Sequence, residues 1–502
     1  IFNNLKKIDN KFENFDKIKF SAHHLSHAAS AFYHSPFNEA IILTLDGVGE
    51  KATTTIAIGK KNKIEIKKEI HFPHSLGLFY SAFTYYLGFK VNSGEYKVMG
   101  LAPYGEPKYK NQIFENLIQL KDDGSFSLNM KYFNYETGFT MITENFTKLF
   151  GNPIRESNQL LTQFHMDVAS SIQSVIEDIV LKICMSIKDD YKIDNLCLAG
   201  GVALNCVANG KILKEKIFKN LWIQPAAGDA GGSLGAALGY WHQDLNMDRK
   251  VENEDKMKGS YLGPRYNNEE IQKNLNSLNA RYHKKSDDEI FKETSYHLKN
   301  NKTVGWFQGR MEFGPRALGC RSILGNPLSE KMQKELNLKI KFRESFRPFA
   351  PSILNEEVSN WFKTEEKSPY MLLVADVKED KQIEMNYDEK KLFGIDKLNV
   401  KRSSVPAITH VDYSARIQTV HKETNPRFYK LINAFKDLTG CPILVNTSFN
   451  VRGEPIVASI KDAFKCFMGT NLDILVCENF ILFKNEQDKK LVNDYSKSIE
   501  LD

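Results

Sequence analysis

The spacing of apolar positions changes several times along the first half of the chain. Short runs rich in β-branched residues and bounded by turn signals predict strands, and apolar positions at helical spacing predict helices. The predicted strands are 40–48, two strands within 53–70, 195–201 and 219–225, and the predicted helices are 166–191, 203–217 and 229–243. Because strands and helices alternate, the pattern predicts an α/β core.

The second half repeats this alternation after a charged interruption. Residues 243–266 have little apolar periodicity and are expected to form a linker. Helices are predicted at 268–278 and 287–300, and a second unit of helices and strands runs from 304 to 485. The run 471–484 predicts two strands joined by a tight turn. The expected organisation is therefore a domain at 1–242, a linker at 243–266, a domain at 267–485 and a tail at 486–502.

Chain length, charge, apolar runs and cysteine spacing limit the kinds of protein that this sequence can encode. A chain of 502 residues is too long for one core, which agrees with two domains. The net charge of +6 comes from lysines interleaved with acidic residues, which indicates a solvated surface and no nucleic-acid arm, while anionic small substrates remain compatible. No apolar run approaches the roughly 20 residues needed to cross a bilayer. Seven cysteines without C-x-x-C spacing predict buried, reduced thiols in a cytoplasmic protein. The oligomeric state stays open.

Two histidines and two aspartates form a candidate metal site. His23 and His27 are four residues apart, so on a helix they share one face. Asp46 ends a strand-like run and Asp229 lies in a glycine-rich stretch. Imidazole with carboxylate suits Zn or Fe(II). His24 is an alternative partner for His27, because the two are three residues apart and also share a face.

Glycine-rich segments between strands and helices predict close approach of the backbone to a nucleotide. Glycines at such junctions let helix N–H groups meet a phosphate, although they also permit tight strand–helix packing. Asn205, one helical turn further on, is expected to bond a ribose or base. Together with three polar residues from the stretch 444–457, the candidate nucleotide-binding residues are Gly47, Gly200, Gly201, Asn205, Gly231, Gly232, Asn446, Ser448 and Asn450.

The second half concentrates basic residues in turns that contain glycine, proline and aromatic residues. Such settings are unlike an exposed basic face, and guanidinium groups bind phosphates in a bidentate way. The set predicts a site for at least one phosphorylated substrate. The candidate catalytic residues are Arg316, Arg321, Lys341, Arg343, Arg347, His410 and Arg416.

Eight stretches of this sequence together resemble the O-carbamoyltransferases that modify nodulation factors, aminoglycosides and cephem antibiotics. They are HHLSHAASAFY, LTLDGVGE, GEYKVMGLAPYG, LAGGVALNC, GDAGGSLGAAL, MEFGPRALGCRSILGNP, FRPFAPS and NTSFNVRGEP. The resemblance implies a first domain similar to the actin/sugar-kinase/Hsp70 fold, in the version of the tRNA threonylcarbamoyl transferases. It implies a second, α+β domain similar to threonylcarbamoyl-adenylate synthase.

By the same resemblance the protein condenses carbamoyl phosphate with ATP into carbamoyl adenylate and passes the carbamoyl group to a hydroxyl of a sugar or glycosylated metabolite. His23, His27, Asp46 and Asp229 match the family's metal ligands, and Fe(II) or another divalent metal is the implied ion, with Mg²⁺ as a further candidate. The family carries a strand-rich segment with a His-Asp-Ser-type loop before the H-x-x-x-H helix. Only residues 1–22 precede that helix here, so the first domain is expected to be N-terminally incomplete.

Three other interpretations compete with an ATP-dependent O-carbamoyltransferase. A tRNA threonylcarbamoylation protein would share the first domain, but the arginine-bearing second half argues against it. A sugar kinase of the same fold would leave the metal histidines unexplained. A binding protein without turnover would bind metal and nucleotide only. Since fold analogy alone does not establish function, the site residues in both halves favour the carbamoyltransferase.

Overall fold

The computed structural model describes residues 2–252 and 254–492. The helices are α1 (Phe2–Ile8), α2 (His23–Phe32), α3 (Leu76–Tyr86), α4 (Glu95–Leu101), α5 (Lys110–Asn116), α6 (Glu144–Phe150), α7 (Gln163–Tyr191), α8 (Cys206–Lys214), α9 (Asp229–Gly239), α10 (Asn268–Ser277), α11 (Asp287–Lys299), α12 (Met332–Glu335), α13 (Val358–Trp361), α14 (Tyr387–Lys390), α15 (Pro426–Thr439) and α16 (Ile460–Gly469).

The strands are β1 (Glu39–Leu45), β2 (Ala52–Lys60), β3 (Lys63–His71), β4 (Ile118–Leu120), β5 (Phe126–Leu128), β6 (Asn195–Ala199), β7 (Asn220–Ile223), β8 (His283–Lys284), β9 (Val304–Phe307), β10 (Arg321–Gly325), β11 (Ala350–Leu354), β12 (Leu373–Asp376), β13 (Ser414–Val420), β14 (Ile443–Ser448), β15 (Ile474–Cys477) and β16 (Phe480–Phe483).

The chain forms two compact units that are interleaved in sequence. The first unit contains the chain up to Gly77 together with Asp190–Ala203 and Phe218–Lys256. The second contains Leu78–Asp189, Leu204–Ile217 and the chain from Met257 onward. The first unit is therefore assembled from three separate segments.

The first unit is built on a five-stranded sheet with the order β3-β2-β1-β6-β7. The pairs β1–β2 and β2–β3 are antiparallel, and β1–β6 and β6–β7 are parallel. The central strand β1 is buried over almost its whole length, as its continuous apolar run predicts. Because β1, β6 and β7 run in the same direction, the residues that follow them, including Asp46 and Gly200, lie at one edge of the sheet.

Helices α2 and α9 of this unit pack in close contact. Gly235 of α9 lies against the backbone of α2, and a Cβ added there would stand 1.7 Å from the carbonyl oxygen of Ser26. No side chain fits in that space, so the two backbones approach only because this residue is glycine. The contact brings the start of α9, which carries Asp229, beside the histidines of α2.

The second unit is built on a nine-stranded sheet with the order β12-β13-β11-β14-β10-β9-β15-β16-β8. Most neighbouring pairs are antiparallel, but β11–β13 and β9–β15 are parallel. Its core contains fully buried side chains from the sheet, such as Trp306 and Leu475, and from the flanking helices, such as Phe435 of α15 and Phe467 of α16. The hairpin β4–β5 and the long helix α7 belong to the same unit.

The observed elements confirm the predicted α/β class. The two strands expected within 53–70, the long helix near 166–191 and the hairpin near 471–484 are all present as β2, β3, α7, β15 and β16. All seven cysteines are buried and none forms a disulfide, as expected. Among the described helices, none combines the length and apolar character that crossing a membrane requires.

The compact units do not follow the boundaries drawn from the sequence. Residues 78–189 and 204–217 belong to the same unit as the C-terminal half, although they lie within the predicted domain 1–242. In the predicted linker 243–266, Arg249 is packed against α2 and Ser260 is fully buried. The division into a domain at 1–242, a linker at 243–266 and a domain at 267–485 stays a prediction. The predicted tail 486–502 is described up to Val492, and its remainder lies outside the described residues.

Replacing Gly235 by alanine tests the close approach of α2 and α9. We expect Gly235→Ala to lower the free energy of unfolding by about 1–3 kcal/mol, because the added methyl group forces the two backbones apart. Gly239→Ala is the matched control on the same helix, since its Cβ would have no neighbour closer than 3.8 Å. Calorimetric melting temperatures measure both, and equal temperatures for the two variants would contradict the packing argument.

Candidate metal centre and basic cavity

Four predicted ligands converge in the first unit. The Nε2 atoms of His23 and His27 are 3.0 Å apart. Asp46 Oδ2 lies 2.7 Å from His23 Nε2 and 3.2 Å from His27 Nε2. Asp229 Oδ1 lies 3.6 Å from each of these nitrogen atoms. The four donor atoms are within 4.8 Å of one another, which makes them the metal-ligand cluster of the described residues.

These separations fit a single divalent ion. Donor atoms that stand about 2.1 Å from an ion are about 3.0 Å apart at neighbouring octahedral positions and about 3.4 Å apart at tetrahedral ones. The donor separations that involve a histidine nitrogen, 2.7 to 3.6 Å, bracket those values. Two imidazole nitrogens and two carboxylate oxygens are a donor set suited to Fe(II), Zn and related first-row metals.

Both ends of α2 are anchored, and this fixes the histidines. At its start, the backbone N–H of His23 donates to the carboxylate of Glu50, at 3.1 and 3.2 Å from the two oxygens. At its end, the Arg249 guanidinium donates to the carbonyl oxygens of Phe32 and Ser35, at 2.6 and 2.8 Å. A cation at the C-terminus and an anion at the N-terminus also complement the helix dipole.

The turn that carries Asp46 is held from two sides. The backbone N–H of Gly201, which follows β6, donates to Asp46 Oδ1 at 2.9 Å. The buried hydroxyl of Ser75 donates to the carbonyl oxygens of Asp46 and Gly47, at 3.1 and 2.6 Å. One carboxylate oxygen is therefore occupied by the backbone, and the other faces the two histidines.

His24 does not belong to the cluster. Its Nδ1 is 2.6 Å from the hydroxyl of Thr44, which in turn bonds Thr55 at 2.6 Å. Burial lowers the pKa of His24 to about 4, so this ring is neutral and part of the interior. Of the two pairings that the sequence left open, the structure therefore supports His23 with His27 and not His24 with His27.

The ligands influence one another electrostatically. The hydrogen bond with Asp46 raises the pKa of His23 despite partial burial. Burial alone would raise the pKa of Asp46, but hydrogen bonds from His23, His27 and the Gly201 N–H lower it well below its usual range. Asp46 is therefore a carboxylate at neutral pH, the form that binds a cation.

The predicted nucleotide-binding glycines serve different purposes. Gly200 has φ +89°, and a Cβ there would stand 2.2 Å from the carbonyl oxygen of Leu45, so glycine is required by the packing of β6 beside β1. A Cβ at Gly231 would stand 2.1 Å from the Ala226 oxygen. Gly47 and Gly232 leave open space instead, with no atom within 4 Å of an added Cβ. Contact of these glycines with a nucleotide stays a prediction.

Asn205 requires a correction. It is the N-cap of α8, and its Oδ1 accepts the backbone N–H of Ala208 at 3.1 Å. The same amide exchanges two hydrogen bonds with Gln173 of α7, at 3.0 and 3.1 Å. Because Oδ1 and one of the two amide N–H groups are committed to these structural bonds, Asn205 serves as a helix cap and as a link to α7.

The second unit contains a large, basic cavity. Its volume is approximately 990 Å³, at the upper end of the usual range for ligand sites. Basic lining residues outnumber acidic ones. The basic residues are Lys90, Arg316, Lys341, Arg343, Arg347, Arg416 and Arg452, and the acidic residues are Glu177, Asp412 and Glu454. An anionic ligand larger than a single phosphate is the natural occupant of such a space.

Crowding makes the cations of this cavity repel one another. Burial, and next the neighbouring Arg416, lower the pKa of Arg316. Burial and Arg347 lower the pKa of Arg343, and burial and Arg343 lower that of Lys341. Each cation is thus destabilised by its neighbours, and an anion bound among them would relieve this repulsion.

Aromatic rings and polar groups hold the cations in place. The Arg347 guanidinium lies over the ring of Tyr96, with 4.5 Å to its centroid, and Arg343 lies over Phe349 at 4.7 Å. Stacking of this kind fixes the guanidinium plane and leaves its edge for a ligand. Arg343 Nε also donates to Asn337 Oδ1 at 2.7 Å.

Lys341, Ser448 and Asn450 form one interlocked group. The Lys341 ammonium donates to the Ser448 and Asn450 carbonyl oxygens, at 2.7 and 2.8 Å, and to the Asn450 side chain at 2.6 Å. All three residues line the cavity. The direct bonds show that Lys341 also shapes the loop after β14.

His410 and Asp412 lie in the wall of the same cavity. His410 Nδ1 is 3.5 Å from Asp412 Oδ1, and the backbone and hydroxyl of Ser414 donate to the same carboxylate oxygen at 3.0 and 2.6 Å. Although burial opposes ionisation, these partners, His410 foremost, lower the pKa of Asp412 to about 2. The pair places an imidazole ring and a carboxylate beside the cations.

Arg321 also requires a correction. Its side chain is fully buried and is not among the described residues that line the cavity. Its guanidinium stacks on Phe307, with 3.5 Å to the centroid, and donates to the carbonyl oxygens of Gln308 and Pro264, at 2.8 and 3.1 Å. The predicted contact with substrate phosphate is therefore replaced by a structural role.

Two functional features were not predicted from the sequence. Tyr96 stacks on Arg347. Glu344 lies among the cations, with Oε1 3.2 Å from Lys97 Nζ and 3.8 Å from Arg452 Nη2. The glutamate stands directly beside Arg343 in the sequence, and an acid inside an arginine-rich turn is the signal that would have indicated such a partner.

Comparison with protein families gives two matches that together cover most of the chain. Residues 3–238 match the family model described as carbamoyltransferase N-terminus. Residues 295–484 match the model described as carbamoyltransferase C-terminus.

Several curated proteins are similar over almost the whole chain. An uncharacterized protein of Synechocystis sp. is 58% identical over 98% of this chain and 81% of its own length. Nodulation protein NolO of Bradyrhizobium diazoefficiens is 38% identical over 92% of this chain and 78% of its own length. Nodulation protein NolNO of Sinorhizobium fredii is 37% identical over 93% of this chain and 64% of its own length. Among solved structures, HypF of T. kodakarensis aligns over 50% of this chain and 40% of its own, with 12% identity and a TM-score of 0.25.

Proposed function

Because the chain belongs to the carbamoyltransferase family and is a carbamoyltransferase acting on small-molecule substrates, we propose that it forms carbamoyl adenylate from carbamoyl phosphate and ATP and transfers the carbamoyl group to a hydroxyl. The acceptor would be a sugar or a glycosylated metabolite, following the resemblance of the sequence motifs. The observation that carries this proposal is the cavity lined by seven basic residues.

The cavity suits the adenylation step because that step brings two polyanions together. Carbamoyl phosphate and ATP repel each other, and a preorganised set of guanidinium groups offsets this repulsion. The stacked Arg347 and Arg343 present fixed donors, while Arg316 and Arg416 contribute further charge. The volume of about 990 Å³ accommodates a nucleotide beside a second small molecule.

Atom balance defines the products of this step. Water cleaves carbamoyl phosphate, so that its phosphoryl group leaves as inorganic phosphate and carbamate remains. A carbamate oxygen then attacks the α-phosphorus of ATP, and pyrophosphate leaves. In this scheme His410, paired with Asp412, accepts the proton released when water attacks. One phosphate and one pyrophosphate are therefore released for each carbamoyl adenylate.

The second step would use the metal centre. An acceptor hydroxyl attacks the carbamoyl carbon, the bond between this carbon and the AMP oxygen breaks so that AMP leaves, and the hydroxyl proton passes to water. His23, His27, Asp46 and Asp229 would hold Fe(II) or another divalent ion, which supplies Lewis-acid activation of the carbamoyl or phosphate oxygen. The chain itself contributes a prearranged ligand set, since Glu50, Arg249 and Ser75 fix the elements on which the ligands stand.

Release of pyrophosphate tests the adenylation step. With carbamoyl phosphate, ATP and Mg²⁺ but no acceptor, we expect phosphate and pyrophosphate in equal amounts. Arg316→Ala should slow this release by about 100-fold, because the lost guanidinium leaves substrate charge uncompensated. Arg265→Ala, at an exposed position of the same unit, is the matched control and should retain the wild-type rate.

The same assay separates the competing functions. Threonine and bicarbonate in place of carbamoyl phosphate should give no pyrophosphate, whereas a threonylcarbamoylation protein would require them. Pyrophosphate release that does not depend on carbamoyl phosphate, or no release from the wild type, would contradict the proposed adenylation.

Binding of Co²⁺, followed by its visible absorption, tests the metal centre independently of turnover. We expect His23→Ala and Asp229→Asn to weaken binding by at least about tenfold, because each removes one ligand. Asp229 has an 81% exposed side chain, so its replacement should leave the fold intact. His71→Ala and Asp248→Asn are exposed controls in the same unit, and loss of binding in these controls, or its persistence in the ligand variants, would argue against the site.

A further inference from the structure

Arg316 stands at the tip of the loop that joins β9 to β10, residues 308–320. Pro315, Arg316 and Ala317 line the cavity. The guanidinium makes one long bond, from Nη2 to the Leu204 carbonyl oxygen at 3.4 Å, and its buried Nε has no hydrogen-bond partner among the described residues. So few bonds cannot orient a group with five donors. The position of Arg316 must therefore be set by the loop that carries it.

One carboxylate closes the base of this loop. Glu312 is 4% exposed, and its Oε1 accepts the backbone N–H groups of Leu318, Cys320 and Arg321, at 2.7, 2.7 and 3.2 Å. A single anionic oxygen thus joins the start of the loop to its end. Hydrogen bonds to an ionised acceptor are about twice as strong as neutral ones.

Both flanks of the tip are anchored further. Before the tip, Met311 and Phe313 bond the backbone of Pro264 and Ser260, at 3.0 and 2.7 Å. After the tip, the carbonyl oxygen of Ala317 accepts from Asn446 Nδ2 at 3.1 Å. Asn446 is 1% exposed and lines the cavity, so its amide faces the loop at the place where the wall is formed.

Arg321 completes the arrangement. Its buried guanidinium bonds the carbonyl oxygens of Gln308 and Cys320, at the two ends of the loop, at 2.8 and 2.9 Å, and although burial lowers its pKa, the negative charge of Glu312 favours its charged form. Glu312 and Arg321 are thus opposite charges buried at the base of the loop, and neither is among the described residues that line the cavity. Arg321 therefore has a structural role in the same short segment as Arg316, although it does not reach the cavity.

We propose that Glu312 is a positioning residue, whose carboxylate holds the loop 308–320 in the shape that presents the Arg316 guanidinium to an oxyanion in the cavity. Glu312 is not among the described residues that line the cavity, so it acts through Arg316 and does not touch the substrate. The inference rests on the proposed function insofar as it requires the cavity to bind phosphorylated anions.

A double-mutant cycle on pyrophosphate binding, measured by titration calorimetry, tests this role. Glu312→Gln keeps the size of the side chain and should weaken binding by about tenfold, because the neutral amide holds the three N–H groups less firmly. In the Arg316→Ala background the same change should have an effect of less than about twofold. Glu269→Gln, on the exposed face of α10, is the control and should bind pyrophosphate like the wild type.

Each other outcome overturns the inference in a distinguishable way. Equal weakening by Glu312→Gln in both backgrounds would show a general structural role. Wild-type binding that Glu312→Gln leaves unchanged would reject the inference and keep the proposed function. Absence of pyrophosphate binding by the wild type would reject both. If Glu312→Gln does not fold, as judged by circular dichroism, Glu312→Asp replaces it in the same cycle, because it keeps the charge but is too short to reach all three N–H groups.

Discussion

Mutual repulsion among buried cations is the constraint around which the second unit is organised. Besides burial, which is the largest cause, the neighbouring Arg416 lowers the pKa of Arg316 and the neighbouring Arg347 lowers the pKa of Arg343. Removing such charges from water is costly unless each has compensating partners. The protein meets this need with aromatic rings under the guanidinium groups and with Glu344 among them. The remaining imbalance of charge is the driving force available to an anionic ligand.

Two groups of arginines in this fold share a residue type and differ in their surroundings. Arg155, Arg249, Arg321 and Arg402 direct their guanidinium groups at backbone carbonyl oxygens and stabilise loops or helix ends. The arginines of the cavity stack on rings or have few bonds. The sequence placed Arg316 and Arg321 in the same short segment and gave no reason to separate them. Only the three-dimensional course of the loop shows that one faces the cavity and the other faces the interior.

The candidate metal cluster could be predicted in large part because His23, His27 and Asp46 each follow a local rule. The spacing of His23 and His27 puts both on one helix face, and Asp46 follows a buried strand whose carboxyl end meets that of β6. The prediction for Asn205 was wrong because asparagine is also a preferred N-cap residue. Here its side chain accepts the cap hydrogen bond from the backbone N–H of Ala208. Glu344 was missed for a related reason, since no periodicity distinguishes an acid that compensates buried cations from one on the surface. Whether an acid compensates buried cations depends on contacts between residues that are distant in the sequence, and a local pattern does not reveal such contacts.

The interleaving of the first unit has a consequence for how the molecule is made. Its sheet needs β1 from the beginning of the chain and β7 from much later, and the candidate ligands His23 and Asp229 are 206 positions apart in a chain of 502 residues. Contacts of such high sequence separation form late, after long loops have closed. During synthesis the early histidines therefore emerge well before their last partner. If these four residues bind a metal ion, its capture by the full set would coincide with completion of this unit, and metal binding would then report successful folding.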